Sequence, residues 1–423
     1  MALRFGFSKK NITPVIPTCL ACSQKKDTPY ESIHDEIFLR GAVLESKGRK
    51  ILILSYDLLF PPRGIDATAM ELAKSRYDVD PSDILISCTH NHNSPSTLGY
   101  NDFSSTPEYE GFLREATADC IDDAFKDMQP GRMEYGAVAG NWNINRRRNT
   151  GKEIQLAPNP DGPVDNMVYI LHLISGKGKT KGLIINYACH PVHYPDPLAI
   201  TSEYPGFLCR YLEEEFTGCI PLFIQGAGAD SRPLSTVDGD RFTIRSYEFI
   251  ENMAMSMKNS IASTILSGKL AKTEPSFSSV SFSLDIPTED LGKEYFRYNI
   301  NNTSLSEHLK RNAKFIFTNY SSIKPSFSLA CGIIRLAGSL VIAHMGGEPC
   351  CEIKFAIEEV LSEFNVMFAG YTDSCAYIVT DRMIDEGGYE VRCFIEYLHK
   401  GRIKKGIDEI INTGFREAAV RLV

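Results

Sequence analysis

Apolar runs that break off at polar residues organise the chain. The clearest runs from Ile84 to Pro95, Ile-Leu-Ile-Ser-Cys-Thr-His-Asn-His-Asn-Ser-Pro, and its apolar part stops at His90 and His92. The pattern predicts a buried strand that delivers both imidazoles to its C-terminal edge, since residues two apart on a strand share a face. In open α/β sheets that edge is where ligands bind. Gly182 to Cys189 repeats the arrangement and ends on His190-Pro-Val-His193. Pro221 to Gln225 leads into Gly226-Ala-Gly-Ala-Asp230-Ser231-Arg232, and Leu340 to His344 leads into Met345-Gly-Gly-Glu348-Pro349. The glycines let backbone approach a ligand closely.

The remaining elements follow from the same patterning. Residues 1 to 33 read as an edge segment and a loop. Ile12-Thr13-Pro14 ends a short extended piece, and Pro17, Lys25-Lys26 and Pro29 mark exposed irregular chain. Ile37 to Glu45 and Lys50 to Leu59 read as two strands turning at Lys47-Gly48-Arg49. Asp57, polar at the end of an apolar run, reads as a carboxylate behind the site, the alternative being a loop cap. Helical spacing covers Ile65 to Tyr77, Tyr109 to Met128, Phe207 to Phe216, Ser246 to Leu270, Glu352 to Phe364 and Gly406 to Leu422. Met167 to Ile174, Phe277 to Ile286, Ser326 to Leu336 and Val366 to Ala369 read as strands. Asn141 to Arg148 reads as a polar loop with one functional arginine and two solvated ones. Residues 151 to 165 read as loop, as do Asp373 to Thr380 and Gly387 to Glu390. Residues 288 to 325 read as a polar helical insert or lid, with His308 on the surface. Strands alternating with helices predict a single α/β domain over residues 1–423. Its expected form is a mixed β-sheet core flanked by helices, with the site at one rim.

Composition narrows the function. The chain has 423 residues, 43% of them hydrophobic, enough for a large core, and a formal net charge of -8. An acidic balance argues against a nucleic-acid partner, whose binding surfaces are basic. No stretch approaches the roughly 18 apolar residues of a membrane span. The N-terminus lacks an apolar segment followed by a cleavage site, so a cytoplasmic protein without a signal peptide is expected. The 12 cysteines sit mostly inside apolar runs, where free Cys behaves as a small hydrophobe. Cys19 and Cys22 form one CxxC with no second pair to complete a zinc ribbon. G-x-S-x-G, P-loop, G-x-G-x-x-G and H-E-x-x-H motifs are all missing.

The polar residues at strand ends are His90, His92, His190, Asp230 and Glu348. Two histidines and a carboxylate from separate strands are what a catalytic zinc site takes, with a position left open for water. Such a metal lowers the pKa of water to about 7 and polarises a carbonyl. Wide spacing between ligands fits catalytic zinc, whereas structural zinc uses close Cys/His pairs. The residues point to a metal hydrolase.

Thr89-His90-Asn91-His92-Asn93-Ser94-Pro95 resembles the Thr-His-Thr-His-Ser-Gly-Pro motif of the neutral/alkaline (non-lysosomal) ceramidases and their shorter bacterial relatives. Further blocks fall in that family's order: Ile12-Thr13-Pro14, His34-Asp35, Asn145-Arg146, Asn186 to Pro191, Ser202 to Gly206, Gln225 to Asp230, Gly347-Glu348-Pro349, Tyr377 to Thr380 and Gly388-Tyr389-Glu390. The resemblance spans nearly the whole chain. It implies a zinc amidohydrolase that cleaves an N-acyl amide into an amine and a fatty acid. Carried over position by position, it implies Zn2+ ligands at His90, His190, Glu348 and Tyr377, with Tyr371 the alternative tyrosine. His92 and Arg146 are implied to address the scissile carbonyl and its oxyanion, a role their donors suit. Asp230 and His92 are both candidates for proton transfer, with Ser231 beside the former. Arg232 and Tyr389 are expected to contact substrate.

Two departures bear on the substrate. The ceramidases carry a serine two residues after the aspartate matching Asp230; that position here is Arg232. Full-length ceramidases also have a secretion signal and a C-terminal immunoglobulin-like domain, and neither is expected here. A smaller or more polar N-acyl amide than ceramide is therefore expected, with Arg232 binding an acidic group on it. The competing expectations are a catalytically inactive relative that binds a ligand, and a zinc peptidase or esterase on the same site. Arg232→Ala is expected to change substrate preference more than zinc content, read by metal analysis beside turnover of an amide panel. Equal loss of metal would make Arg232 a structural residue.

Overall fold

The computed structural model describes residues 3–23, 28–97 and 106–422. The Lys25-Lys26 pair lies outside the described residues. The main sheet has nine strands. Eight of them run in the order Ile220–Gln225, Thr180–Tyr187, Met167–Ser175, Gln129–Ala139, Arg4–Asn11, Phe38–Ser46, Arg49–Tyr56, Ile84–Cys88. Ala271–Thr273 pairs with 129–139 off this path. A second sheet orders Pro275–Pro287, Ser326–Ala337, Leu340–Met345 and Asn365–Ala369.

Three strand–helix–strand units supply the parallel pairs of these two sheets. Strands 49–56 and 84–88 flank helix Ile65–Tyr77. Strands 180–187 and 220–225 flank helix Glu203–Glu215, and strands 340–345 and 365–369 flank helix Cys351–Val360. Crossover helices carry the chain back so that both strands of a pair point the same way, which gathers their C-terminal ends on one side.

Alternation along each strand sorts its side chains between layers. Leu52 and Leu54 face helices 65–77 and Pro107–Lys126, against Ile65, Ala69, Leu113 and Ile121. Ile51 and Ile53 face inward, in one core with Ile334, Leu336, Ile342 and Met367 of the second sheet. Helices 203–215 and Tyr247–Leu266 cover strands 167–175, 180–187 and 220–225. Helices 351–360 and Ile407–Arg421 cover the outer face of the second sheet. The core is thus mixed β-sheet flanked by helices, built from two sheets.

The main sheet curls until its far strands nearly meet. Ser55 Oγ donates to the Phe223 carbonyl at 2.5 Å. The end of the second sheet enters between them: Gly370 N–H donates to the Gln225 carbonyl at 2.9 Å and Cys88 N–H to the Tyr371 carbonyl at 3.3 Å. Asn186 Nδ2 ties the same place together, donating to Ile224 and Phe368 carbonyls.

Several expectations are corrected. The segment 4–11 is no edge: it pairs with 38–46 on one side and 129–139 on the other, and buries Phe5 and Phe7. Asn143–Asn149 is a strand, and 151–165 contains the strand Ile154–Asn159 that pairs with it. Arg146 and Arg147 are buried; of the three arginines only Arg148 is half-buried. Residues 373–390 hold the two-residue strand Tyr377–Ile378 and helices Asp381–Glu386 and Tyr389–Arg392. Asp57 does not support the histidines with its carboxylate, which accepts from Arg40 at 2.8 Å and from Phe38 N–H at 2.9 Å. Residues 288–325 are helical at Lys293–Ile300 and Glu307–Thr318, and pack Phe296, Ala313 and Ile316 on Phe394 and Ile395. Among the described residues no helix is long and apolar enough to cross a membrane.

The Arg40–Asp57 pair is almost wholly buried. Asp57→Ala strands the Arg40 charge and is expected to cost about 3–5 kcal/mol. Urea unfolding measures this; an unchanged midpoint would show that the pair contributes nothing net.

Candidate metal centre and active site

His90, His190 and Glu348 each stand just past the C-terminal end of a long strand. His90 follows strand 84–88 and takes a left-handed backbone, φ 62°. Its neighbours fix that conformation: Thr89 N–H donates to the Tyr56 carbonyl at 2.9 Å and Asn91 N–H to the Leu58 carbonyl at 3.0 Å. Asn91 Nδ2 adds a bond to the Thr201 carbonyl at 2.7 Å. Tyr194, Glu203 and Tyr371 also have positive φ, so backbone strain of the kind that clusters at functional sites gathers here. His190 follows strand 180–187. Glu348 follows Gly347, whose φ of +74° and close approach to the Ala376 carbonyl exclude a side chain. Glu348 and Tyr377 stand opposite each other in a short parallel ladder.

Three atoms converge at the centre. His90 Nε2 and His190 Nε2 are 3.2 Å apart, and Glu348 Oε2 lies 3.3 Å from the first and 3.2 Å from the second. His90 Nδ1 faces the Leu59 carbonyl at 3.0 Å and His190 Nδ1 the Gly228 carbonyl at 2.8 Å. A carbonyl only accepts, so each Nδ1 donates its hydrogen there and each Nε2 faces inward. Burial, helped by Arg146, lowers the His190 pKa to about 3. Burial opposes charge on Glu348, but the two histidines beside it outweigh that and hold its carboxyl well below the usual range. Glu348 Oε2 has no hydrogen-bond partner. Three converging ligand atoms fit a cation, and this donor set of two imidazoles and a carboxylate suits a divalent transition metal.

His92 stands at the rim. Its Nε2 lies 3.1 Å from His90 Nε2, and the ligand atoms of His90, His92 and His190 all fall within 4.8 Å of one another, a possible metal-binding triad. The Tyr194 hydroxyl contacts its Nδ1. Burial first, then the two histidines, press its pKa well below the ordinary value. Arg146 reaches the site from strand 143–149. Its Nε donates to Glu390 at 2.9 Å and its terminal nitrogen to the Tyr377 hydroxyl at 3.2 Å. Glu390 also accepts from Arg147 at 2.6 Å, so one carboxylate fixes both arginines. A cavity of about 270 Å³ opens on the centre, lined by His90, His92, Glu348, Tyr377, Tyr389 and Tyr397 among others.

Other sequence-predicted residues sit further back. Asp230 is fully buried and accepts from Cys351 N–H at 2.9 Å and Asn145 Nδ2 at 3.3 Å, tying strand 143–149 to helix 351–360. Burial raises its pKa to about 6. Ser231 Oγ donates to the Ala188 carbonyl at 3.0 Å. The Tyr371 ring lies 4.2 Å from that of His90 and its hydroxyl is buried without a partner. Half-exposed Tyr389 packs on Tyr377. His308, expected on the surface, lines the cavity. Sequence reasoning missed Tyr194 and Tyr397, whose hydroxyl contacts Glu348 Oε1. Tyr194 follows the His190 block directly, a signal that was available; nothing marks Tyr397.

The fold is a mixed α/β architecture shared with the neutral ceramidases. Neutral ceramidase from Pseudomonas aeruginosa superposes with a TM-score of 0.77 at 16% identity, covering 100% of this chain and 74% of that one. A ceramidase complexed with C2 gives a TM-score of 0.75 at 16% identity, covering 100% of this chain and 75% of the other. No family model and no curated protein sequence matches the chain. The resemblance read from short motifs therefore holds in the fold, at an identity that shows the fold alone.

His90→Ala and Glu348→Ala each remove one converging donor. Each is expected to weaken metal binding by more than about 10-fold, since even outer partners of ligands are worth that much. Equilibrium dialysis with elemental analysis measures it. Full occupancy in either variant would remove that residue from the ligand set.

Proposed function

We propose that the chain is a zinc-dependent amidohydrolase that cleaves the amide bond of an N-acyl substrate. The observation that carries this reading is the meeting of His90 Nε2, His190 Nε2 and Glu348 Oε2 with both Nδ1 hydrogens engaged elsewhere. The shared architecture with ceramidases, whose substrate is an N-acyl amide, supports it.

His90, His190, Glu348 and Tyr377 would hold the zinc. Tyr377 takes the fourth position because it is the register partner of Glu348 and lines the cavity. Zinc bound there supplies an activated water at neutral pH and polarises the scissile carbonyl. The chain's own groups do the rest. Arg146, clamped by Glu390, aims a fixed fork of donors at the oxygen on which charge develops. His92, neutral and oriented by Tyr194, receives a proton from the attacking water and returns it to the departing nitrogen. Asp230 and Ser231 are positioning residues: their bonds run to backbone and to neighbouring side chains that carry the site.

The test is metal analysis of the purified protein, with hydrolysis of an N-acyl amide panel with and without chelator. About one zinc per chain and chelator-sensitive amide cleavage are expected. Zinc without turnover of any amide would make the chain a ligand-binding relative, and cleavage restricted to peptides or esters would reassign the reaction. Arg146→Lys keeps the charge but loses the fork. It is expected to lower kcat about 100-fold with zinc retained. Wild-type kcat in that variant would take Arg146 out of the reaction.

A further inference from the structure

A second cavity of about 470 Å³ adjoins the metal centre. His92, Tyr194 and Cys22 line both cavities and form their common wall. Arg232 lines the second one beside Phe242, and no carboxylate does. Among the described residues the Arg232 side chain has no acidic partner, and its Nε is buried without a hydrogen bond. The Phe242 ring lies beside it, its centroid 5.1 Å from Cζ. Other buried arginines are matched: Arg40 with Asp57, Arg146 and Arg147 with Glu390. A guanidinium in a part-buried cavity with no counter-charge is costly unless an anion arrives. Burial first, and then the nearby Arg146 charge, press its pKa down.

The two cavities differ in charge as well as in place. The one at the metal centre carries Glu396 beside Phe60 and several tyrosines, and its aromatic walls accept an apolar chain. The second presents a cation and no anion. A substrate whose amide lies at the shared wall puts one half in each.

We infer that the substrates are N-acyl amino acids, with the apolar acyl chain in the aromatic cavity and the carboxylate of the amine half on Arg232. The inference rests on the amidohydrolase reading above and names its substrate class. The reaction consumes one water: its oxygen bonds to the acyl carbon, the C–N bond breaks, and the nitrogen leaves with a proton. The products are one fatty acid and one amino acid.

The test compares N-octanoylglycine with N-octanoylglycinamide, nearly identical in shape but without the negative charge. For the wild type, kcat/KM for the acid is expected to exceed that for the amide by about 10-fold or more, the worth of a charge-assisted bidentate contact. Arg232→Ala is expected to collapse that ratio, and Arg232→Lys to keep part of it. A folding defect would lower both substrates alike and leave the ratio unchanged. Titration calorimetry on metal-stripped protein gives a second readout, in which the acid binds more tightly than the amide only when Arg232 is present. Hydrolysis of both compounds at an equal rate, with the ratio unmoved by either variant, would overturn the inference and leave the amidohydrolase reading standing. An Arg232-dependent preference in calorimetry with no hydrolysis of either would uphold the anion site and sink the hydrolase reading.

Discussion

His90 Nε2, His190 Nε2 and Glu348 Oε2 converge across 3.2 to 3.3 Å, with all three side chains buried. The chain holds that convergence by committing the other polar atoms of the three side chains. The Nδ1 hydrogens go to Leu59 and Gly228 carbonyls, and the Tyr397 hydroxyl contacts the other Glu348 oxygen. The left-handed His90 backbone is clamped by its neighbours' bonds to Tyr56 and Leu58. In the proposed reading zinc is the group for which these atoms wait.

Three parallel strand pairs make that convergence possible. Each crossover helix returns the chain so that strand ends 84–88, 180–187, 220–225, 340–345 and 365–369 gather on one side. The curl of the main sheet then draws ends from opposite flanks together, and bonds such as Ser55 to Phe223 and Gly370 to Gln225 lock them. A flat sheet of the same strands would leave His90 and His190 far apart. Asp230 serves the same end, joining the arginine strand to the helix that follows Glu348.

The long strands and helices were legible because burial on one or both faces leaves a period in the sequence. Segment 4–11 misled because its neighbours 38–46 and 129–139 come from distant sequence, and 129–139 is mostly half-buried or exposed. The arginines of 143–149 misled for a related reason: three in a row read as solvated, yet Glu390, 243 residues from Arg147, buries two of them. Asp57 ended the expected run but faced Arg40, a partner no local pattern announces.

The sequence by itself determined the strands, most of the helices, and the histidines and glutamate that end their strands, because hydrophobic period and chain breakers are local properties. It also placed Arg232 two residues past Asp230, where its charge has chemical meaning. Tertiary structure alone decided that the main sheet curls, that His90 and His190 face each other with Glu348 between them, that Tyr194 and Tyr397 hold His92 and Glu348, and that Arg232 lines a second cavity with no acidic partner among the described residues. Those are relations between residues far apart in sequence, fixed by which strand ends meet in space, and only the folded chain carries them.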